Sequence, residues 1–479
     1  MKTTKHYLLI FTIVTSLISC KKFVEIGPPQ NLSIAKSVFQ NNETANSAMI
    51  NIYIRMMEDQ GGNPYRVSVY TGLSGDELKN YSNQIGYRQL YNNVLEPISA
   101  ITNSYYSLAY NCIYQANAII EGCQESSTLS SVVKNTLTGE ALFIRAYWHF
   151  YLVNLYGDIP LVLTTDYTKN STLQRSNKSL IYEQIVSDLK AAQNLLSDNY
   201  VGPDVVTTSL ERIRPNKAAV TALMSRVYLF KQDYMAGEKA ADAVLAKKDM
   251  YDIVPLNQVF LKNSKEAIWQ MMKPNPNNQN INTYEGRGYI LTTKPTGDFN
   301  NSTTIGSGLM SAFETGDLRK QTWIGKFTDI TVTPNVDYYF PYKYKVKNGS
   351  DLSEYSMIMR VGEQYLIRAE CRLKNGNRAG AVDDLDVIRK RAGLTPISIL
   401  NPNISNEELM NAILKERQVE LFTEQGHRWL DLKRSGKIDQ VMIGYSIIKG
   451  STWHTAQQLW PFPQTEILNN PNLKQNPGY

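Results

Sequence analysis

Histidine and cysteine are scarce in this 479-residue chain, with four of each. Past the first twenty residues only His149, His427 and His454 remain, too few for a histidine-rich metal centre or a histidine-activated nucleophile. With Cys20 set aside, Cys112, Cys123 and Cys371 are odd in number and show no C-x-x-C spacing, which argues against a disulfide framework or a zinc site. Cys112 and Cys123 fall on one helical pattern where eleven residues span about 16 Å, so free buried thiols are expected. No G-x-S-x-G, G-x-x-x-x-G-K-[ST], H-E-x-x-H or dinucleotide glycine fingerprint occurs. The 50 Lys and Arg against 44 Asp and Glu are spread along the chain, without the basic stripe that nucleic acid would need.

What is present is a chain with 42% hydrophobic and 20% charged residues, neither disordered nor a polytopic membrane protein. Tyrosine stands out, with 30 Tyr against 13 Phe and 6 Trp. A large apolar face with a polar tip suits wet binding surfaces as well as cores.

Lys2 and Lys5 precede an apolar run from Tyr7 to Ile18, too short to span a bilayer and placed where a secretory leader belongs. The run ends Leu17-Ile18-Ser19-Cys20, which resembles the lipobox of bacterial lipoproteins, so Cys20 is the expected lipidation site. Two or three acyl chains anchor a protein stably where one is marginal. No later segment reaches the roughly 18 uninterrupted apolar residues of a spanning helix.

Residues 20–36, with Gly27-Pro28-Pro29, read as an extended tether. Helical periodicity follows over Ser37–Met57, Ile101–Gly122, Val132–Tyr156, Leu180–Leu196, Lys217–Lys231, Met235–Lys248, Ser356–Lys374, Arg378–Ala392 and Asn406–Lys433. Residues 58–93 and 249–354 are rich in turn formers and tyrosine and read as long loops, with a short strand near Tyr338–Tyr342. Small residues face one another in two tight pairs, Ala219 and Ala236–Ala243 in one, Ala369 and Ala381 in the other. A unit of about 34 residues with this grammar resembles a degenerate tetratricopeptide repeat; a generic helical-hairpin bundle is the plainer alternative.

Glu416, Glu420 and Glu424 step by four along one helical pattern. Such spacing suits the paired carboxylates of a glycosidase. Equally, a salt-bridge network compensated by Arg417, Arg428, Lys433 and Arg434 accounts for it and is the favoured reading.

Three long motifs resemble the SusD/RagB lipoprotein family. The first runs from Gly139-Glu140-Ala141 through Arg145-Ala146-Tyr147-Trp148-His149-Phe150 to Tyr156-Gly157-Asp158-Ile159-Pro160. The second is Glu416-Arg417-Gln418-Val419-Glu420-Leu421 with Glu424-Gln425-Gly426-His427-Arg428-Trp429-Leu430-Asp431. The third is Leu459-Trp460-Pro461-Phe462-Pro463 with the closing Asn470–Tyr479; Trp460 and Phe462 depart from the smaller residues common there. The resemblance implies an all-α fold, a right-handed α-solenoid of about four degenerate tetratricopeptide-like helix pairs with loop-rich insertions and little β structure. It implies a signal peptide over 1–19, a lipidated tether over 20–36, and one SusD-like domain over 37–479 with ligand-face loops 58–93 and 249–354. It further implies residence on the outer surface of a Bacteroidetes-type outer membrane, as a lid over a SusC-like TonB-dependent transporter. Members capture oligosaccharides, or in some systems peptides, without catalytic turnover. No cofactor is expected, and a structural calcium is left open.

Tyr147, Tyr151, Tyr228 and Tyr365 lie at helical spacing and read as repeat core. In the two loop regions, Tyr65, Tyr70, Tyr81, Tyr87, Tyr289, Trp323 and Tyr338 are the ligand-binding candidates, because sugars stack their C–H faces on aromatic rings. A glycoside hydrolase using Glu420 and Glu424, and a lipid-anchored scaffold with protein partners only, are the competing functions.

Overall fold

The computed structural model describes residues 37–58, 62–274 and 281–479. The leader, Cys20 and the tether lie outside the described residues. In chain order the first half holds α1 (Asn42–Glu58), α2 (Asn63–Ser74), β1 (Leu78–Asn80), α3 (Ile85–Asn92), α4 (Ala100–Glu125), α5 (Ser131–Tyr156), α6 (Lys178–Leu195), α7 (Lys217–Lys231) and α8 (Tyr234–Leu245). Next come β2 (Ala267–Met271), α9 (Tyr284–Tyr289), β3 (Thr303–Ile305), β4 (Ile324–Asp329), β5 (Val336–Pro341) and β6 (Ser356–Arg360). The chain then enters α10 (Val361–Lys374), α11 (Arg378–Arg391), α12 (Asn406–Glu420), α13 (His427–Arg434) and α14 (Ile438–Lys449).

The scaffold is a series of stacked helix pairs: α1 on α4, α5 on α6, α7 on α8 and α10 on α11, each pair packing on the next, with α12 closing the series. The pairs start where side chains satisfy the first free amides. Ser130, Asn177, Asn216, Asp233 and Asn377 each accept a backbone N–H at the head of α5, α6, α7, α8 and α11, and Ser405 with Glu408 makes a capping box before α12. α5 is buried on nearly every side, and its charges are paired inside: Glu140 with Arg214 at 2.8 Å, Arg145 with Asp188 at 2.6 Å. Tyr147, Tyr151, Tyr228 and Tyr365 are buried in the main core, as the spacing predicts, and Cys112, Cys123 and Cys371 are buried and outside any disulfide among the described residues.

Close approach is set by small residues. A Cβ on Gly237 of α8 would stand 2.8 Å from Cys371 Sγ in α10. Gly237→Leu is therefore expected to lower unfolding free energy by about 1–3 kcal/mol through overpacking, read as a shifted urea midpoint with unchanged slope.

Three expectations need correction. Residues 58–93 are not a long loop: α2 and α3 lie there, and all twelve residues of α2 are buried. A helix buried all round shows no apolar stripe. Its polar residues, which made the segment look loop-like, bond back to their own helix: Ser68 to Pro64 O at 2.7 Å, Thr71 to Val67 O at 2.6 Å, Ser74 to Tyr70 O at 2.9 Å. Ser356–Arg360 is a strand rather than the start of a helix; it pairs antiparallel with β2, and both strands are wholly buried. A short continuous apolar run does not distinguish the two. Finally, 406–433 is two helices, broken at 421–426 where Thr423, Gln425 and Gly426 all take positive φ. The strand expected at Tyr338–Tyr342 is present as β5, paired with β4 from Ile324↔Pro341 to Asp329↔Val336.

Candidate functional site

The break at 421–426 holds the segment that carries the site. Gln425 N–H donates to Ser68 Oγ at 3.0 Å, Thr423 N–H donates to Glu77 at 3.2 Å, and Arg428 donates two bonds to Asp76 at 2.9 and 2.7 Å. At the C-terminus of α2 the Lys449 ammonium also donates to the carbonyls of Leu73 and Ser74 at 2.7 and 2.9 Å, a cation on a helix C-terminus. α2 is thus fixed at its middle and at its C-terminal end. α3 lies against the start of α4 because Gly86 leaves room: a Cβ there would stand 2.6 Å from Ile101 Cδ1. α9 lies directly on Tyr65, whose ring would be 2.4 Å from a Cβ on Gly288.

Between these elements opens a cleft of about 600 Å³, within the roughly 300–1,000 Å³ of small-ligand sites. Tyr70 of α2, Gln84, Ile85, Gly86 and Tyr87 of α3 and its entry, Ala100, Ile101 and Ser104 of α4, and Tyr284 and Arg287 of α9 line it. Tyr70 and Tyr87 meet edge to face at 6.1 Å, and Tyr70 leans on Trp460 at 6.3 Å. Burial holds the Tyr87 phenol well above its usual range, so it stays a neutral donor and acceptor. Ser104 Oγ accepts from Arg66 at 2.6 Å, and Arg66 lies 5.8 Å from the Tyr70 centroid. Tyr284 and Arg287 are half-buried, and Ile85 is 67% exposed. The cleft offers aromatic faces, an apolar rim and convergent polar groups.

Of the seven aromatic candidates, Tyr70 and Tyr87 line this cleft. Tyr65 and Tyr289 do not line it; both are buried in the core, their rings 5.0 Å apart. Tyr81 and Tyr338 form a half-buried edge-to-face pair at 6.0 Å beside the β4–β5 hairpin, with the Lys79 ammonium 5.1 Å from the Tyr81 ring. Tyr81 stands three positions before Gln84 of the cleft, at most about 11 Å of chain. Trp323 is placed otherwise: it is fully buried in a second core with Phe260, Tyr344 and Phe422 and has no surface for a ligand. Gln84, Tyr284, Arg287 and Ser104 were not among the sequence candidates; α9 sits in a segment that read as loop, so nothing marked which of its side chains faced outward.

Glu416, Glu420 and Glu424 are all buried, and their compensation comes from elsewhere than expected. Arg319 pairs with Glu416 at 2.6 Å and Glu420 at 2.9 Å; Arg360 pairs with Glu420 at 2.6 Å, Glu424 at 2.7 Å and Glu266 at 2.8 Å. Arg391 bridges Glu266 and Glu420, and Lys343 holds Glu424. Arg417 and Arg434 instead serve Asp431, and Arg428 serves Asp76. Burial opposes ionisation of Glu420 and Glu424, but the surrounding arginines win and hold both carboxyls below the usual range. His149 and His427 are buried and neutral; desolvation brings His149 down to about 3. Among the described residues no helix is long and apolar enough to cross a membrane, and no group of three or more His, Cys, Asp or Glu is placed to hold a metal.

Two family models tile the chain. One, the SusD family, matches residues 279–479, and another, described as starch-binding associating with outer membrane, matches residues 23–229. The chain belongs to the SusD/RagB family. A SusD-like protein of Formosa agariphila is 23% identical over 99% of this chain and all of its own length. The starch-binding protein SusD of Bacteroides thetaiotaomicron is 29% identical over 26% of this chain and 21% of its own. The fold is shared with a SusD superfamily protein of Bacteroides vulgatus, at TM-score 0.76 and 19% identity over 92% of this chain and 100% of that one. A laminarin-binding SusD-like protein aligns at TM-score 0.73 and 22% identity over 91% of this chain and 99% of that one. In this SusD-like chain Glu140 and Arg145 of the first motif, and Glu416, Arg417, Glu420, Glu424 and Asp431 of the second, are buried ion-pair residues. Their role is to hold the scaffold.

Proposed function

We propose that this chain is a cell-surface lipoprotein that captures oligosaccharide and delivers it to a SusC-like TonB-dependent transporter, anchored in the outer membrane through lipidated Cys20. The observation that carries the reading is the cleft built by Tyr70, Tyr87, Tyr284, Gln84 and Arg287. Aromatic faces for sugar C–H groups beside amide and guanidinium donors are what glycan recognition requires. Membership in a family with starch-binding and laminarin-binding members supports the same ligand class. Catalysis through Glu420 and Glu424 is disfavoured chemically. A glycosidase needs one carboxyl kept protonated, whereas Glu420 and Glu424 are locked in arginine pairs that keep them charged.

The test is calorimetry of the purified protein against a panel of polysaccharides and their oligomers. Binding of at least one glycan is expected, with a rise in melting temperature by mass action. Tyr284→Ala is expected to weaken it by roughly tenfold, in line with about 1–2 kcal/mol for one aromatic contact. Binding of peptides alone, or release of shortened sugars from a polysaccharide, would refute the reading.

A further inference from the structure

A second hollow, of about 350 Å³, opens in the connection from α6 to α7 and shares no residue with the cleft. Asn199, Tyr200, Thr208, Ser209, Leu210 and Arg212 line it. Tyr200 pairs with Ser209 and Val201 with Thr208 in a short antiparallel hairpin. Asp204 closes the turn, accepting from the Val206 and Thr207 amides at 3.1 and 3.0 Å and from the Thr207 hydroxyl at 2.9 Å. The chain then brings Arg212 against the Tyr200 ring. Arg212 is only 9% exposed, and its guanidinium meets neutral groups alone: it donates to Ala267 O at 2.5 Å and Met250 O at 2.9 Å, with the Tyr200 and Tyr251 centroids 5.7 and 5.3 Å away. Other buried arginines are answered by carboxylates: Arg145 by Asp188, Arg214 by Glu140 and Arg226 by Glu363. Among the described residues no carboxylate forms an ion pair with Arg212. Of the acids nearest it in the fold and the chain, Asp198 is held by Lys217 and Lys247, Asp252 by Lys248, and Glu211 meets the Tyr355 hydroxyl.

A buried charge without a partner is costly, and an anion that enters the hollow relieves it. One guanidinium fork matches one planar carboxylate, and no lysine or second arginine lines the hollow to receive a dianion. The remaining lining suits hydroxyls. Among the described residues the Asn199 amide and the Thr208 hydroxyl make no hydrogen bond, and Ser209 Oγ accepts from the Glu211 N–H at 3.0 Å with its own proton free. Leu210, 89% exposed, offers an apolar lip to C–H groups. We propose that this hollow is a second ligand site and takes a sugar acid, its carboxylate on Arg212 and its hydroxyls on Asn199, Thr208 and Ser209. The site goes beyond glycan capture in the cleft and does not depend on it.

The experiment is calorimetry of the full chain with galacturonate and glucuronate, each beside its neutral counterpart, galactose or glucose. Every titration is run at about 50 mM and about 300 mM salt. One uronate is expected to bind at least about tenfold tighter than its neutral sugar, and to weaken severalfold at high salt. Acetate and sulfate at the same concentration should not displace it. Arg212→Gln should lose about tenfold, with the melting temperature reporting whether loss of its two carbonyl bonds has disturbed the fold. Asn199→Ala combined with Thr208→Val changes two exposed positions. The double variant should weaken the uronate severalfold at an unchanged melting temperature and leave glycan binding in the cleft as it was. Equal affinity for uronate and neutral sugar, absence of uronate binding, or displacement by acetate or sulfate as readily as by uronate would overturn the inference. So would uronate binding that survives the double variant and is lost in Tyr87→Ala, because that places it in the cleft. None of these results decides glycan capture, which the polysaccharide panel tests separately.

Discussion

Arg360→Met is expected to remove roughly 3–5 kcal/mol of stability, the cost of breaking a buried ion pair by deleting one partner. Arg360 donates to Glu266, to both the side chain and the carbonyl of Glu420, and twice to Glu424, all between 2.6 and 2.9 Å and all out of solvent. Methionine fills the volume and leaves Glu424 to Lys343 alone, while Glu420 keeps Arg319 and Arg391. The pH dependence follows from the same pairs. Carboxyls held below their unfolded values contribute stability that is present above the unfolded pKa and lost as pH falls through the folded one. Glu420 and Glu424 are such groups. Removing Arg360 should raise the Glu424 carboxyl, so acid unfolding of the variant begins at a higher pH, readable by circular dichroism. The alkaline side has the opposite sign. Burial raises Glu285 and Glu354 to about 7 and Glu77 to about 8. Their contribution is full below the unfolded carboxyl range near 4.3 and is lost as pH rises through those folded values. These three groups should therefore lower stability progressively between about pH 4.3 and about pH 8, the interval between their unfolded and folded values.

Trp323→Ala is the second large effect, expected at about 3–5 kcal/mol of stability. Its ring meets Phe260 at 5.5 Å and Phe422 at 6.4 Å, and its indole N–H donates to Leu256 O at 3.0 Å. Lys343, Arg360 and Arg391 lie 4.9, 5.8 and 5.6 Å from its ring centroid. The indole is the aromatic wall of the ion-pair cluster, so its loss opens a cavity and admits water to those charges. Urea unfolding should show the drop. Combined with Arg360→Met the two costs should be less than additive, because both disable one network. A Trp323→Ala protein of unchanged stability that loses ligand would show instead that this tryptophan belongs to the binding face.

The scaffold was readable from the chain because its signals are local. Ala369 and Ala381 mark a close pair, and Tyr147 and Tyr151 follow the helical period. The ion-pair network was half readable. The three glutamates stood out by spacing, but their partners Arg319, Arg360 and Arg391 arrive from other segments, and an i,i+4 argument sees only its own helix. α2 escaped notice because complete burial erases the amphipathic stripe. For the same reason an excess of loop tyrosines could name a region but not a face: Tyr65, Tyr70 and Tyr87 are near neighbours in sequence, and only the last two reach the cleft.

The most direct test of glycan capture is a crystal structure of the chain with the oligosaccharide that calorimetry selects. The account expects sugar rings in the cleft against Tyr284 and Tyr87, with Arg287 in polar contact. Sugar bound elsewhere, with this cleft empty in the complex, would contradict it.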